Sequence, residues 1–476
     1  MRATTSIPLP GQRIGEDGRP HLDYAAIGRL AFPFMLNSSV QAVLNATDTW
    51  FIGRLSADAT SAIGAVYWPV LVFLVLLGGV GISVQTLVAQ CYGARRYARA
   101  AQAAWVSIWA SAFTVPLFAL LAFRGHALFS PFGIPASSLP LAMDYWMPRM
   151  LCAPLGVALW GQLGFFNGIA RPRITLSLSL TVAVLNALLN QLFIFDFGWG
   201  IAGSAWATGA AQGAGLLIAL WLFLGKEMRV RYRSHLTTRL RGRVLWSQFK
   251  LGFPMGLLYA ADILGFSLFQ LMQVHLGTVD GAATQLVMML TSFVYMPAVG
   301  IAMAGTTLVG QSIGAGNRDW AARLGNGVIF IVMLYMGATG VVLAALGPWF
   351  LPWFQASADP RAAEVVAKAG VLLWIAAGYQ LFDGLNISSG SCLRGAGDAL
   401  IPSFMVIALS WLVFVPLAHA LSFSPGNGWF SFLPAYGYGA VGGWWAAVAY
   451  IMLLGIMLML RWRSGAWRRI DLKFSH

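Results

Sequence analysis

Residues 29–53 read RLAFPFMLNSSVQAVLNATDTWFIG. The first five of them, Arg29-Leu-Ala-Phe-Pro33, return later in the chain as Lys250-Leu-Gly-Phe-Pro254. At the same displacement of 221 residues, Gln90-Cys-Tyr-Gly-Ala94 falls on Gln311-Ser-Ile-Gly-Ala315. Gly168-Ile-Ala170 then matches Gly395-Ala-Gly397 at 227 residues, and Gly198-Trp-Gly-Ile-Ala-Gly203 matches Gly437-Tyr-Gly-Ala-Val-Gly442 at 239. The displacement drifts upward as small insertions collect in second-half loops. The chain reads as a duplication, and the fold follows from what one copy contains.

Each copy is built of long apolar runs. Of the 476 residues, 58% are hydrophobic and 10% charged, against roughly a quarter charged in a soluble domain. Mean hydropathy is +0.71. Residues 59–94, 100–123, 150–170, 174–195, 197–225, 281–317, 324–358 and 399–460 carry no Asp, Glu, Lys or Arg. A membrane-spanning helix needs about 20 apolar residues, and backbone polar groups in lipid must be satisfied within the segment. Alternating strands of about ten residues, the mark of a membrane barrel, are not seen. The runs predict twelve spans, near 25–52, 62–90, 100–123, 141–165, 174–195, 200–224, 250–275, 282–310, 322–347, 367–391, 400–421 and 438–460.

Six spans per copy is an even number, so both copies run the same way through the bilayer. The expected architecture is an all-α membrane protein of two parallel six-helix lobes, related by a pseudo-two-fold axis along the membrane normal. The divisions expected are a tail at 1–24, a first lobe at 25–225, a basic connector at 226–249, a second lobe at 250–461 and a basic tail at 462–476.

The net charge of +14 suggests nucleic acid only until its distribution is considered. With the N-terminus inside, Arg54, Arg124, Arg149, Arg361 and Lys368 are the only Lys and Arg residues on outside segments. That is the positive-inside bias of membrane proteins; it places both termini in the cytoplasm and excludes a nucleic-acid partner. KEMRVRYRSHLTTRLRGRVLWSQFK, 226–250, reads as a loop that sets topology beside anionic headgroups. Cys91, Cys152 and Cys392 lie far apart and the six histidines are scattered, so no disulfide framework or metal knuckle is implied. GWGIAG and GYGAVG both fit GxGxxG, but each opens an apolar helix rather than following a strand. Their glycines suit a tight turn and close helix approach. No Walker A motif or GxSxG is present.

Asp48, Asp262 and Asp383 lie inside spans. A charge at mid-membrane costs about 2.5–3.5 kcal/mol on insertion scales, and such residues face the protein interior or a water-filled cavity. Asn37, Gln41, Asn45 and Asp48 follow helical spacing on one face of the first span. In the fifth span Asn186 and Asn190 do so, in the seventh Tyr259 and Asp262, and in the tenth Tyr379, Asp383 and Asn386. The first and fifth spans are expected to form a polar pocket in one lobe, the seventh and tenth another in the second. Gln41 and Asp262 occupy equivalent repeat positions. Helix-to-helix hydrogen bonding explains Asn186, Asn190 and Gln41 as well as transport does. It explains Asp262 and Asp383 less well, because Asn would serve without the charge. A carboxyl there can exchange a proton, or bind sodium when ionised.

As a set, Pro33…Asp48-Thr-Trp-Phe-Ile-Gly53, the Gln90/Gly93-Ala94 and Gln311/Gly314-Ala315 loops, Asn186…Asn190, Gly252-Phe-Pro…Asp262 and Tyr379…Asp383…Leu393-Arg-Gly395 resemble the multidrug and toxic compound extrusion (MATE) family, in its NorM-like bacterial branch. The resemblance runs from about Arg29 to Arg461. It implies an antiporter of the bacterial inner membrane, exporting amphipathic, often cationic molecules in exchange for H+ or Na+. It would act as a monomer in the bilayer, with no cofactor beyond the coupling ion. By the resemblance, Asp48 is the first lobe's carboxylate, and Asp262, Asp383 and Tyr379 are the second lobe's cation site, with Na+ at Asp262 and Asp383 as the one metal. Gln41, Asn45, Asn186, Asn190, Tyr259 and Asn37 are candidates for the substrate cavity. The branch usually has Glu where this chain has Asp262.

Two other functions fit the composition. A flippase for lipid-linked oligosaccharide would want Lys or Arg in its cleft to meet a pyrophosphate, where this chain places carboxylates. A membrane-embedded enzyme would need a nucleophile–base pair, and His275 and His419 stand isolated in the sequence.

Overall fold

The structure, a computed structural model, describes residues 9–16, 18–129, 139–354, 361–429 and 432–472. The first lobe contains α1 (Tyr24–Gly53), α2 (Ala57–Gly93), α3 (Tyr97–Phe123), the short α4 (Gly125–Phe129), α5 (Leu139–Gly168), α6 (Pro172–Asn190, prolonged by a π-helical turn, Gln191–Asp196) and α7 (Gly200–Phe223). After α8 (Lys226–Tyr232), the second lobe contains α9 (Gly242–Leu276), α10 (Thr278–Gly314), α11 (Arg318–Phe350), α12 (Ala362–Ala396), α13 (Leu400–Leu409), a π-helical turn (Ser410–Phe414), α14 (Val415–Ser422) and α15 (Gly439–Arg463). Helices α13 and α14 with the turn between them make one span.

Among the described residues, eleven of these spans are long and apolar enough to cross a membrane. The twelfth, α1, runs for 30 residues but is diluted by Asn37, Ser38, Ser39, Gln41 and Asp48. This is a multi-pass membrane protein, and the repeat appears in its geometry. Pro33 and Pro254, the ends of the two matching pentapeptides, both lie inside helices, α1 and α9.

The equivalence extends to how helices stop. After α2, Arg95 takes a left-handed backbone (φ 58°), and after α10 its counterpart Gly316 does the same (φ 81°). After α5 and α12 the pair is Ala170 (φ 59°) and Gly397 (φ 86°). All four ends close in the same way. Arg96 N–H donates to Cys91 O at 2.8 Å, Asn317 to Ser312 at 3.0 Å, Arg171 to Phe166 at 2.9 Å and Asp398 to Leu393 at 2.9 Å. This is the Schellman closure, which satisfies carbonyls left orphaned at a helix end. The GxGxxG stretches also pair: Gly198 and Gly200 have positive φ before α7, as Gly437 and Gly439 do before α15. They are helix-entry turns, not a nucleotide cradle.

One expectation needs correction. The connector is not a free loop. Residues 226–232 form α8, and α9 already begins at Gly242. It is pinned to the first lobe by Trp105 Nε1 donating to Ser234 O (2.7 Å), Trp109 Nε1 to Thr238 O (2.9 Å) and Gln248 Nε2 to Ala103 O (2.6 Å). Arg171 forms an ion pair with Glu227, which holds that carboxyl below the usual range. The N-terminal tail also carries regular structure. Gln12–Ile14 and Pro20–Leu22 form an antiparallel hairpin, and Trp320 Nε1 of α11 donates to Pro10 O at 2.9 Å. Short polar runs outside the spans carry no strong period, so their structure comes from the surfaces they pack against.

Candidate functional site

In the first lobe, Asp48 of α1 is met by α6 and α7. Asn190 Nδ2 donates to Asp48 Oδ1 at 2.7 Å, and Thr208 Oγ1 donates to Oδ2 at 3.2 Å. Asn186 Nδ2 in turn donates to Thr208 Oγ1 (3.2 Å). The guanidinium of Arg149, on α5, is near enough to act on Asp48 electrostatically. Both carboxylate oxygens are therefore answered by residues of the lobe itself. The other members of the expected α1 face do not join them. Asn37 is buried elsewhere along the helix, and Gln41 is exposed. Asn45 lies in α1, but its side chain falls outside the described residues.

In the second lobe the seventh and tenth spans do converge. Asp262 of α9 and Asp383 of α12 line one cavity of about 220 Å³, with Tyr379, Gln380 and Asn386 of α12, Thr291 and Tyr295 of α10, and Trp444 and Tyr450 of α15. Tyr450 donates its hydroxyl to Asp262 Oδ1 at 3.0 Å, and Asn386 Nδ2 donates to Asp383 Oδ1 at 3.3 Å. Tyr379 stacks on Trp444, with ring centroids 6.2 Å apart. Gln380 is buried, and its Oε1 has no hydrogen-bond partner in the protein. No Lys or Arg lines this cavity. Two carboxylates close enough to act on each other thus face one space with no basic residue among the described residues that line it. Tyr259 does not line this space; it lines a second, smaller cavity beneath Asp262.

Sequence reading missed Thr208, Tyr450 and Gln380. Tyr450 is a single hydroxyl residue on a mostly apolar helix and stands 188 residues from the aspartate it serves; Thr208 shares its helix with Ser204 and Gln212, and nothing in that spacing points to Asp48. Gln380 was findable, as a polar residue beside Tyr379 within an apolar run.

The lobes are joined at the end of the bundle that carries the connector and the closed helix ends. Here the repeat produces a symmetric set of bonds. Thr86 Oγ1 and Gln90 Nε2 of α2 donate to the carbonyls of Arg394 and Gly395 at the end of α12, both at 3.0 Å. Their equivalents Thr307 and Gln311 of α10 donate to Asn167 and Gly168 at the end of α5, at 3.1 and 2.9 Å. Between them α2 and α10 touch backbone to backbone. A Cβ on Gly93 would run into the Gln311 carbonyl, and one on Gly314 into that of Gln90.

Known proteins agree with this architecture. The MatE family profile matches residues 33–192 and 254–419, one segment in each lobe. A protein named "Probable multidrug resistance protein NorM" from Pseudomonas aeruginosa is 30% identical over 462 residues, covering 93% of this chain and 90% of its own. A protein of the same name from Burkholderia pseudomallei is 30% identical over 448 residues, 92% of each chain. Among solved structures, one described as a crystal structure of MATE in the straight conformation superposes with a TM-score of 0.78 over 93% of this chain and 96% of its own, at 19% identity. With both lobes matched by the family profile and a full-length relative at this identity, the chain belongs to the MatE family.

Proposed function

We propose that the protein is a secondary active multidrug efflux antiporter, exporting amphipathic, often cationic compounds in exchange for inward H+ or Na+. Relatives named "Probable multidrug resistance protein NorM" support export of drugs. The observation that carries the coupling reading is the Asp262–Asp383 cavity with no Lys or Arg in its lining. At about 220 Å³ it has room for a cation with waters, yet it is smaller than the roughly 300–1,000 Å³ of drug-sized sites. Carboxylate oxygens, the tyrosine hydroxyls and Gln380 Oε1 give it the oxygen donors a proton or sodium ion needs.

The drug then binds in the cleft between lobes. Here the lobe boundaries at 25–225 and 250–461 are carried as the moving units, with 226–249 as their tether. The basic end faces the cytoplasm of a bacterial inner membrane, with both termini on that side, and the bilayer and the exported molecules are the monomer's only partners. Because the cross-lobe bonds gather at this basic end, the cleft opens at the opposite face, outward. A cation entering from outside neutralises the acidic pair. That weakens the hold on a cationic drug and favours its release, and the cation-loaded protein turns inward. Differential affinity for the two states drives the cycle. Asp383→Asn in proteoliposomes tests this: gradient-driven efflux is expected to fall to background while the protein stays folded, and undiminished efflux rejects the assignment.

A further inference from the structure

Below the acidic cavity lies a second one, of about 100 Å³, enclosed by α9, α10, α12, α13 and α15 and therefore wholly inside the second lobe. The two share Asp262, Tyr295 and Asn386. Along α12 the upper cavity takes Asp383 and Asn386, and the lower takes Asn386, Gly390 and Arg394. The lower space thus descends from the acidic site toward the basic end of the bundle and stops at Arg394. It can hold a short file of waters, and hydroxyls of Tyr259, Tyr295 and Ser403 line it. Ser403 is 3% exposed, and its Oγ has no protein partner. A buried hydroxyl left unmatched in this way is satisfied by water.

Arg394 is held at the bottom. Its Nη2 donates to Ser391 Oγ at 2.6 Å, and its guanidinium lies 5.8 Å from the centre of the Tyr259 ring. Its backbone carbonyl accepts the Thr86 hydroxyl of the opposite lobe. The residue that ends the lower cavity is therefore fastened by the same bonds that close the lobes at the basic end.

We infer that the lower cavity is the route by which the coupling cation leaves Asp262 and Asp383 for the cytoplasm, and that Arg394 is its charge barrier. The inference rests on the cation-site reading above. A guanidinium in a narrow, weakly solvated passage repels a cation strongly. While Thr86 and Gln90 hold the end of α12, the site is open to the outside and the barrier stands, so no cation crosses without a turn of the cycle. When α2 withdraws, the end of α12 is released, Arg394 leaves the passage and the cation exits within the lobe. The drug, too large for this passage, keeps to the cleft.

The test uses the full-length protein in liposomes with an imposed sodium or pH gradient and no drug. Arg394→Gln is expected to dissipate the gradient about tenfold faster than the parent. Arg394→Lys keeps the charge and should remain near the parent rate. The double variant Arg394→Gln with Asp383→Asn should return to it, because ions must pass the acidic site to reach the passage. A leak no faster in Arg394→Gln, or one that persists in the double variant, overturns the route. Should Arg394→Gln fail to fold, Gly390→Leu serves instead. A Cβ there meets only Arg394 Nη1 at 3.5 Å and Leu458 at 3.9 Å, so the side chain fills the lower cavity. Drug efflux is then expected to slow about tenfold with drug binding retained; unchanged efflux overturns the route. If Asp383→Asn alone leaves efflux intact, the cation site itself is wrong. If Asp383→Asn abolishes efflux and Arg394→Gln does not leak, only the exit route is wrong.

Discussion

The two lobes descend from one repeat, yet they treat their buried carboxylates in opposite ways. Asp48 in the first lobe has each oxygen bonded by a neighbour, Asn190 and Thr208, with Arg149 close by. Asp262 and Asp383 in the second receive one bond each and share an open space without a basic residue. A buried charge must be matched from somewhere. The first lobe matches its own, while in the coupling reading proposed above the second leaves the task to a cation. Duplication supplied two scaffolds of one shape, and a handful of side chains divided the labour between them.

The division is broken most sharply by comparing Asp383→Asn with Asp48→Asn. Asp383→Asn, already the test of coupling, is expected to cost all gradient-driven efflux, two orders of magnitude or more. Asp48→Asn should cost less transport, about tenfold, and more stability. It replaces one of the two acceptor oxygens that serve Asn190 and Thr208 by an NH2 donor and leaves Arg149 without its nearby negative charge, a change worth about 1–3 kcal/mol. Transport assays paired with thermal unfolding in detergent would show the two variants separating on two axes. If both lose transport completely at unchanged stability, the lobes are not divided as described.

The cross-lobe bonds offer a smaller effect and a test of symmetry. Gln90→Ala and Gln311→Ala each remove one bond to a buried carbonyl at equivalent places. Each should weaken the closed basic end by about 1–2 kcal/mol, shifting the two-state balance roughly five- to thirtyfold toward opening on that side. Spin-label distances across the basic end should report equal shifts for the two variants. A shift for one alone would show that a single half of the seam holds the gate.

How much of this the chain disclosed depended on distance along it. RLAFP and KLGFP were enough to expose the duplication, and long apolar runs between charges located the spans, including those that carry an aspartate within them. The α1 face was legible as a face, but it did not act as one. Near Phe34 and Met35 the helix packs against Gly300 of α10, whereas Asp48 meets α6. Residues about four turns apart along one helix thus look at different lobes. A helical period predicts which residues align and says nothing about what stands opposite. Tyr450 and Thr208 went unnoticed for that reason, and Arg394, though quoted within Leu393-Arg-Gly395, gave no sign of the cavity that it lines with four other helices.

The subtlest contrast between the lobes is in the backbone. At the close of α12 the left-handed position is held by Gly397; at the equivalent close of α5 it is held by Ala170. An L-residue with a Cβ pays about 1–2 kcal/mol to sit there, whereas glycine adopts it freely. Ala170→Gly should therefore raise stability, though by less than the full strain, because glycine also loosens the unfolded chain; a net gain of about 0.5–1 kcal/mol is expected. The reverse change, Gly397→Ala, should cost more than Ala170→Gly gains. It adds the strain, and its Cβ would press on Leu472 Cδ1 at 2.9 Å. Unfolding of a membrane protein is seldom reversible, so the measurement is the midpoint of thermal unfolding at one fixed scan rate, read as a rank order. The expected order is Ala170→Gly above the parent and Gly397→Ala below it by a wider margin. If Ala170→Gly is destabilising, the alanine is held by packing that outweighs its backbone strain, and the two helix ends are alike in shape but not in what fixes them.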